Sequence, residues 1–442
     1  MTEQQQHAAE SEAAPLSRKT FLSISGKSLV AGGLLAGSPL LAQTRSDKAA
    51  KSPPARIPAS PQEPIVLEQW KSDADPATAP TPTPLAPDQR VGYAVVGLGH
   101  LALEEILPAL SSCKKSRLVA LVSGNPEKLK KVSGQYGIAR ENCYSYQNFD
   151  SISSNKLVDV VYIVLPNGLH KEYVIRAAKA GKHVLCEKPM ANNAEECRDM
   201  IRACEQANVK LMIAYRIQYQ PHNRYVRQQL KQQEFGTTRF VEACNSQSSA
   251  NPDHWRHKKA LAGGGALPDI GLYCLNTTRF ILGLEPTEVF AWQFSTAGNP
   301  LFKEVEELVA WQMKFPGGIM ASCSTDYAVH ESRRYRVMAE RGWLDIENAY
   351  AYHGQQLKSS TVKDGIKMQA SINIPETNQF AAEMDHFSDC VMNNKQPFTT
   401  GYEGLQDHII MDAIYQSARE GRPVKIDPVK DPSKLHGPEP EL

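Results

Sequence analysis

A short apolar run that ends in a glycine turn constrains the fold of this chain most strongly. Residues 91–102 read Val-Gly-Tyr-Ala-Val-Val-Gly-Leu-Gly-His-Leu-Ala, and a helix-like segment, 103–110, follows. Gly97 permits a tight turn, Gly99 lets the backbone approach a pyrophosphate, and the small Ala102 lets helix and strand pack closely. The pattern predicts a dinucleotide-binding unit with the phosphates at the helix N-terminus. An ordinary turn between a strand and a helix is the alternative.

Length and composition limit the classes of protein to consider. The chain has 442 residues, enough for two domains, and its formal net charge of +1 gives no reason to expect nucleic acid as a partner. Its nine cysteines are scattered and odd in number, which argues against a disulfide framework and predicts buried free thiols. The loop 251–257 contains two histidines but no third ligand at useful spacing, so we expect no metal site.

The N-terminal region has the features of an export signal. Residues 17–22, Ser-Arg-Lys-Thr-Phe-Leu, precede a weakly apolar run, 28–42, that is too short and too interrupted by glycine and proline for stable membrane insertion. This resembles a twin-arginine signal in which Lys19 replaces the second arginine. We therefore predict an export signal over residues 1–45 and a periplasmic location. An ordinary disordered tail is the alternative.

A proline-rich segment follows the predicted signal. Residues 46–88 are rich in proline, alanine and threonine, a composition that favours extended conformations and cannot pack a core. The segment is either a linker or an arm that lies along a neighbouring subunit.

The second predicted strand, 117–122, bears on the choice between NAD and NADP. An NAD site usually has an acidic residue about 20 positions after the glycine turn, where it binds the ribose hydroxyls. This chain has Ser123 there, and Lys128 is nearby. A hydroxyl and an ammonium can bind a 2′-phosphate that a carboxylate would repel, so the sequence favours NADP. The alternative is that Lys128 is a solvated surface lysine.

Two further strand ends carry candidate functional residues. The apolar run 157–165 is typical of a buried parallel strand, and Asn167 after it can cap the next helix or contact a ligand. The strand at 183–186 ends in Glu187-Lys188-Pro189. Lys188 can hydrogen-bond a ribose or polarise a substrate oxygen, or it can simply pair with Glu187.

Strand-like runs dominate the second half of the chain and predict a separate α+β module. A probable helix, 270–282, follows a triple glycine at 263–265, and Asp269 and Tyr273 are four positions apart, so they share one helical face. A carboxylate and a phenol together can bind a sugar diol and move a proton. A buried tyrosine bonded to an aspartate is the alternative. The other predicted elements are strands at 239–243, 289–294, 307–315, 319–324, 335–339 and 342–346 and helices at 378–393 and 404–420.

As a set, these motifs resemble the glucose–fructose oxidoreductase family, also called Gfo/Idh/MocA. The shared features are the glycine turn, Pro-Asn-x-x-His at 166–170, Gly-Lys-His-Val at 181–184, Cys-Glu-Lys-Pro at 186–189, Tyr-Arg at 215–216 and the segment 261–273. The resemblance covers about residues 90–425. It implies a Rossmann domain, residues 89–214, and a C-terminal α+β domain, 215–425, with a large open, mostly antiparallel sheet, before a tail, 426–442. It also implies assembly into a homodimer or homotetramer through the sheet faces.

The resemblance also implies the roles of individual residues. The catalytic group is Asp269 and Tyr273 with Lys188, whose ammonium would favour the tyrosinate form during oxidation. Candidate sugar contacts are Tyr219, Trp255 and Arg256, whose aromatic faces and forked donors suit sugar rings. The expected cofactor-binding residues are Gly97, Gly99, His100, Leu101, Ser123, Lys128, Leu165, Pro166, Asn167, His170, Glu187, Lys188 and Arg216.

The function that follows is an NADP-dependent sugar oxidoreductase. It would oxidise a glucose-like aldose to the lactone and reduce a fructose-like ketose with the same tightly bound cofactor. Two alternatives stay open: an NAD-dependent glycoside hydrolase of the same family, and a non-catalytic nucleotide-sensing protein on the same fold.

Overall fold

Two β-sheets, one parallel and one largely antiparallel, organise the residues that the computed structural model describes, 85–440. These residues all belong to one compact unit. The predicted export signal and nearly all of the proline-rich arm lie outside the described residues. The two sheets confirm the predicted fold class, an α/β domain followed by an α+β domain.

The first sheet has six parallel strands in the order β3-β2-β1-β4-β5-β6. This is the order of a doubly wound dinucleotide-binding domain, in which ligands bind beyond the carboxyl ends of β1 and β4, where the strand order reverses. The strands are β1 (Val91–Val96), β2 (Ser116–Val122), β3 (Cys143–Tyr144), β4 (Val160–Ile163), β5 (His183–Glu187) and β6 (Leu211–Ala214). The helices that accompany them are α1 (Leu107–Ser112), α2 (Pro126–Tyr136), α3 (His170–Lys179) and α4 (Ala194–Gln206).

The central strands are buried because helices cover both faces of a parallel sheet. Every residue of β1 and β4 is buried. The near-continuous apolar runs in the sequence at these places reflect that environment.

The second sheet has nine strands in the order β14-β13-β12-β11-β7-β10-β9-β8-β15. β7 and β10 pair in parallel, and the other neighbours pair antiparallel. The strands are β7 (Thr238–Ser246), β8 (Glu288–Phe294), β9 (Leu308–Lys314), β10 (Met320–Asp326), β11 (Ser332–Ala339), β12 (Gly342–Glu347), β13 (Gln356–Lys363), β14 (Ile366–Ile372) and β15 (Val424–Lys425). The remaining helices are α5 (Pro221–Lys231), α6 (Lys259–Ala262), α7 (Leu272–Leu282), α8 (Gln379–Met392) and α9 (Gly401–Glu420).

Helix α8 packs back onto the first sheet although it comes late in the chain. The hydroxyl of Tyr93 in β1 donates to the carbonyl oxygen of Met384 at 2.8 Å. The hydroxyls of Ser116 in β2 and Ser388 are 2.7 Å apart. A helix from the C-terminal half of the chain therefore packs on the sheet of the N-terminal domain. The predicted boundary after residue 214 separates the two sheets but not α8 from the first sheet.

The C-terminal segment also packs on the body of the protein, as far as it is described. Leu435 is buried, and the Thr400 hydroxyl donates to the carbonyl oxygen of Lys434 at 2.7 Å. The predicted tail therefore packs at the start of α9, and its last described residues, Glu439 and Pro440, contact Arg227 and Arg224 of α5.

Candidate active site

The glycine turn after β1 has the geometry that a pyrophosphate needs. Gly97 has a φ of +96°, and a Cβ there would lie 2.3 Å from the carbonyl oxygen of Val164, so only glycine fits. A Cβ at Gly99 would meet nothing within 4 Å, which leaves the backbone open to an approaching group. His100 and Leu101 follow at the exposed start of the next helix, whose first amides have no partner within the helix. The turn therefore fits a bound dinucleotide.

The carboxyl end of β2 brings Ser123 and Lys128 to the same edge. The Lys128 ammonium donates to the carbonyl oxygen of Leu98 at 3.0 Å, so the side chain reaches back to the glycine turn. The Ser123 hydroxyl, on a buried residue, accepts from the Asn125 amide at 3.2 Å. Lys128 is exposed to solvent, and this hydrogen bond holds its side chain beside the glycine turn.

Asn167 does not cap the helix after β4. Leu169 occupies the N-cap position of α3 without a side-chain hydrogen bond. The buried Asn167 amide instead donates to the carbonyl oxygen of Ala262 at 2.9 Å. Asn167 begins a short turn of helix, Asn167–Leu169, that precedes α3. Its side chain can therefore hydrogen-bond across to the second domain instead of capping α3.

His170 joins the turns at the ends of β4 and β5. Its imidazole is fully buried, with Nε2 2.8 Å from the carbonyl oxygen of Leu165 and Nδ1 2.9 Å from that of Pro189. Both ring nitrogens are therefore occupied by backbone groups. The structure places His170 as a support for Leu165, Pro166 and the turn after Lys188, so any effect on a cofactor would act through these turns.

A cavity of about 170 Å³ lies where the two domains meet. Three of its lining residues are the predicted catalytic group, Lys188, Asp269 and Tyr273. The other lining residues are Arg216, Asn245, Gln247, Arg256, Ile270, Arg333, Tyr350, Ala351 and Tyr352. Its walls are rich in hydrogen-bonding groups and cations, which suits a polar, hydroxyl-rich ligand.

Asp269 is the electrostatic centre of this cavity. One carboxylate oxygen accepts from the Arg256 guanidinium at 2.8 Å and from the Tyr327 hydroxyl at 2.6 Å, and the other lies 3.6 Å from the Lys188 ammonium. Burial raises the pKa of Asp269, but Arg256 and Lys188 outweigh it and hold the pKa well below its usual range. Asp269 is therefore a carboxylate at neutral pH and is paired with both cations.

Lys188 and Tyr273 are in contact. The Lys188 ammonium donates to the backbone carbonyl oxygen of Asp269 at 2.7 Å and lies 4.6 Å from the centroid of the Tyr273 ring. Lys188 thus binds Asp269 and does not pair with Glu187, which was the alternative. Asp269 lies in a π-helical turn, Leu267–Gly271, that leads into α7. Asp269 and Tyr273, which were predicted to share one helical face, therefore line the same cavity.

Arg216 lies beneath Tyr273. Its guanidinium carbon is 4.8 Å from the Tyr273 ring centroid, and its nitrogens donate to Gln379 and to the carbonyl oxygen of Tyr350, both at 2.7 Å. This places Arg216 in the cavity wall.

Of the predicted sugar contacts, Arg256 lines the cavity and Trp255 lies next to it, with the Arg256 guanidinium 4.5 Å from the Trp255 ring centroid. Tyr219 is elsewhere. It is buried, with its hydroxyl 3.3 Å from Thr399 Oγ1 and its ring against Phe398. The structure therefore does not bring Tyr219 to the cavity, because its side chain packs into the core against Phe398 and Thr399.

Sequence reasoning missed Tyr327, which lies directly after β10 and donates to Asp269. The only signal was its place three residues after the predicted strand 319–324. Two absences complete the description of residues 85–440. They contain no cluster of histidine, cysteine, aspartate and glutamate suited to a metal ion, and none of their helices combines the length and apolarity of a membrane span. All nine cysteines fall in this part of the chain and are free, as predicted.

A parallel sheet with an open glycine turn, next to a cavity with a lysine, a carboxylate and a tyrosine, defines a nicotinamide-dependent oxidoreductase. Comparison with known proteins agrees. Residues 91–215 match the oxidoreductase family with an NAD-binding Rossmann fold, and residues 223–345 match the GFO/IDH/MocA C-terminal domain. The chain belongs to the Gfo/Idh/MocA family, as the sequence motifs predicted.

Individual relatives match about three quarters of the chain. The D-xylose 1-dehydrogenase [NADP(+)] of Haloarcula marismortui is 30% identical over 77% of this chain and 95% of its own length. The 1,5-anhydro-D-fructose reductase of Ensifer adhaerens is 25% identical over 76% and 98%. A crystal structure of aldose-aldose oxidoreductase from Caulobacter crescentus, complexed with glycerol, is 43% identical, with a TM-score of 0.74, and covers 76% of this chain and 100% of that chain.

Proposed function

We propose that the protein oxidises the C1 hydroxyl of an aldose and passes the hydride to a second sugar carbonyl through bound NADP. The observation that carries the proposal is the convergence of Lys188, Asp269 and Tyr273 in one polar cavity between the two domains. The named activities of the relatives, on xylose, anhydrofructose and paired aldoses, support a sugar as substrate.

Tyr273 is the residue that would move the proton. During oxidation its oxygen accepts the proton of the sugar hydroxyl, and during reduction its hydroxyl returns a proton to the carbonyl oxygen of the acceptor. Lys188 and Arg216, which contact the ring, would stabilise negative charge on that oxygen. Asp269 keeps Lys188 and Arg256 in place. The nicotinamide supplies the hydride acceptor and donor.

The preference for NADP rests on Lys128 and Ser123. The Lys128 ammonium has three donors and uses one on Leu98, so others can bind a 2′-phosphate. The carboxyl end of β2 presents the hydroxyl of Ser123 in place of the carboxylate that usually selects NAD.

The absorbance spectrum of the purified protein tests this function. A reduced-nicotinamide band should appear when glucose or another aldose is added and should disappear when fructose or a second aldose is added. Comparing the two acceptors separates aldose–ketose coupling from aldose–aldose coupling. Tyr273→Phe should abolish the changes but keep the cofactor bound. A variant that still turns over would contradict the role of Tyr273, and a wild-type protein that binds cofactor without any turnover would favour a sensor.

We also propose that the protein forms homodimers or homotetramers through the outer face of the second sheet. Phe290, Trp292 and Phe294 alternate along β8 on this face, and Trp292 and Phe294 are 56% and 59% exposed. Leu308 and Ala310 on the neighbouring strand extend the apolar surface. Exposed apolar patches of this kind favour association, because contact with a second subunit removes them from water. Light scattering should give a multiple of the monomer mass, and Trp292→Asp should reduce it.

Export to the periplasm remains a proposal that rests on residues 17–22. The fully folded, cofactor-binding architecture is compatible with a route that exports folded proteins. Fractionation of cells that express the whole chain should recover the protein in the periplasm, and Arg18→Gln together with Lys19→Gln should leave it in the cytoplasm.

A further inference from the structure

The phenol of Tyr162 in β4 lies between two buried carboxyl groups. Its hydroxyl oxygen is 2.8 Å from Oε1 of Glu187, at the end of β5, and 3.3 Å from Oε1 of Glu383 in α8. All three residues are buried. None of the proton transfers in the proposed reaction uses Tyr162 or Glu383, so this cluster needs a separate explanation.

The hydrogen bonds of the cluster require an additional proton. A phenol donates one hydrogen and can accept another. If Tyr162 donates to Glu187, the contact with Glu383 is favourable only when the carboxyl group of Glu383 is protonated and donates to the phenol oxygen. The other oxygen of Glu383, Oε2, is buried without a partner. An unpaired carbonyl oxygen there costs far less than an unpaired oxygen of a charged carboxylate.

The surrounding charges agree with this placement of the proton. Burial raises the pKa of both carboxyl groups, and the nearby charge of Glu187 raises that of Glu383 further. The cations facing the pair, Lys188 at the end of β5 and Arg216 in the segment before α5, lower the pKa of Glu187, and Arg216 lowers that of Glu383. Glu187, which also accepts from the Lys188 amide and is closer to the phenol, is therefore the better carboxylate.

The cluster connects directly to the catalytic lysine. Oε2 of Glu187 accepts from the backbone amide of Lys188 at 3.2 Å. Helix α8 contributes Gln379, which binds Arg216, one turn before Glu383. The cluster therefore touches the supports of both cations that contact Tyr273.

We propose that Glu383 is a positioning residue that keeps a proton at neutral pH and, through Tyr162, holds the Glu187 carboxylate against the amide of Lys188. The relay Glu383–Tyr162–Glu187 thereby fixes the turn that presents the Lys188 ammonium to Tyr273. The proposed sugar oxidation is needed only for the turnover part of the test below.

Two substitutions at Glu383 test the positioning role. Glu383→Leu removes the donor to Tyr162, and because small displacements of positioned groups are costly, kcat should fall roughly tenfold or more. Glu383→Gln keeps a neutral donor of the same shape and should restore most of that loss. A Gln variant as impaired as the Leu variant, or a Leu variant as active as wild type, would overturn the proposal.

Infrared difference spectra locate the proton without any turnover. The spectrum of wild type minus Glu383→Gln at neutral pH should contain the carbonyl stretch of a protonated carboxylic acid, and the spectrum of wild type minus Tyr162→Phe should show the same band shifted. If the band is absent in the Glu383 difference but present in wild type minus Glu187→Gln, the proton is on Glu187 and the assignment is wrong. Because these spectra need no sugar, failure of the proposed oxidation leaves this result readable.

Discussion

Asp269 lies buried between two cations and accepts hydrogen bonds from two side chains, so its charge should matter more than its shape. Asp269→Asn keeps the shape but leaves Arg256 and Lys188 without a balancing carboxylate. We expect kcat to fall by about 100-fold, the size typical of a lost electrostatic contact in an active site, while the cofactor still binds. Steady-state kinetics with aldose and NADP provide the measurement.

Tyr327→Phe is the matched control for that substitution. It removes one hydrogen bond to the same carboxylate oxygen but leaves the ion pairs with Arg256 and Lys188 intact. Only the part of this hydrogen bond that strengthens in the transition state affects kcat, so the loss should be about tenfold, well below the loss for Asp269→Asn. Equal losses in the two variants would show that the charge of Asp269 is not the decisive property.

Lys128 offers a second test at a single residue. Lys128→Met should raise the dissociation constant of NADPH roughly tenfold, because a charge-assisted hydrogen bond to the 2′-phosphate is lost. The dissociation constant of NADH should change by less than about twofold, as for loss of an exposed charge. Fluorescence titration measures both. Lys131→Ala, on the exposed side of the same helix, is the control. An equal loss for both cofactors would contradict the preference for NADP.

At the scale of elements, Asp385 fastens α8 to the first sheet. Its carboxylate accepts from the amides of Lys114 and Lys115 at 2.6 and 2.8 Å and from the Ser116 hydroxyl at 2.9 Å. Asp385→Ala leaves the two amides without this partner, while the Ser116 hydroxyl keeps its contact with Ser388. The free energy of unfolding should therefore fall by about 2–4 kcal/mol in urea denaturation.

Asp389, one turn further along α8, provides the comparison. Its carboxylate pairs with the Lys115 ammonium at 2.6 Å, and the two side chains are 23% and 40% exposed. Solvent weakens such pairs, so Asp389→Ala should cost about 1 kcal/mol or less. If the two substitutions cost the same, α8 is not held chiefly through Asp385.

The elements also show which features a sequence can predict. The apolar runs predicted most strands of both sheets to within a few residues, because alternation and continuous burial both select apolar residues. The two-residue strands β3 and β15 were not predicted. The hairpin of β13 and β14 was also missed. β13 is mostly polar, and every residue of β14 except the last is exposed, although apolar and polar residues alternate along it. Yet Asp364 and Gly365 at its turn both have positive φ, 53° and 76°, which is the geometry that an Asp-Gly pair signals.

In the candidate site, too, some residues could be predicted from the sequence and others could not. Local patterns singled out Lys188, Asp269 and Tyr273 as candidates, and the family resemblance grouped them; the structure shows that they line one cavity. Tyr327, which bonds Asp269, and Glu383, which bonds Tyr162, could not be predicted, because only the tertiary fold brings the end of β10 and helix α8 to these places. Tyr219 follows a motif that resembles the family, but the direction of its side chain depends on packing against Phe398 and Thr399.

For the molecule as a whole, buried histidines make stability depend on pH. Burial lowers the pKa of His386 from 6.5 to about 4 and that of His408 to about 3. Between pH 6.5 and these values, the unfolded chain binds more protons than the native state. The contribution of the two neutral histidines to the free energy of unfolding is therefore fully present above pH 6.5 and is lost as the pH falls. His386 alone should account for about 2 kcal/mol by pH 5.

Chemical denaturation between pH 7.5 and 5 tests this dependence. In wild type the Phe398 amide donates to the imidazole of His386 at 3.0 Å. His386→Gln keeps an acceptor for this amide, but the glutamine cannot titrate. The variant should therefore lose less stability than wild type on acidification. The comparison uses the slope of the free energy of unfolding against pH, so a different stability of the variant at neutral pH does not affect it. His100→Gln, at a side chain that is 92% exposed, should keep the wild-type slope. If His386→Gln also kept that slope, the acid sensitivity of the fold would have to arise from other buried groups.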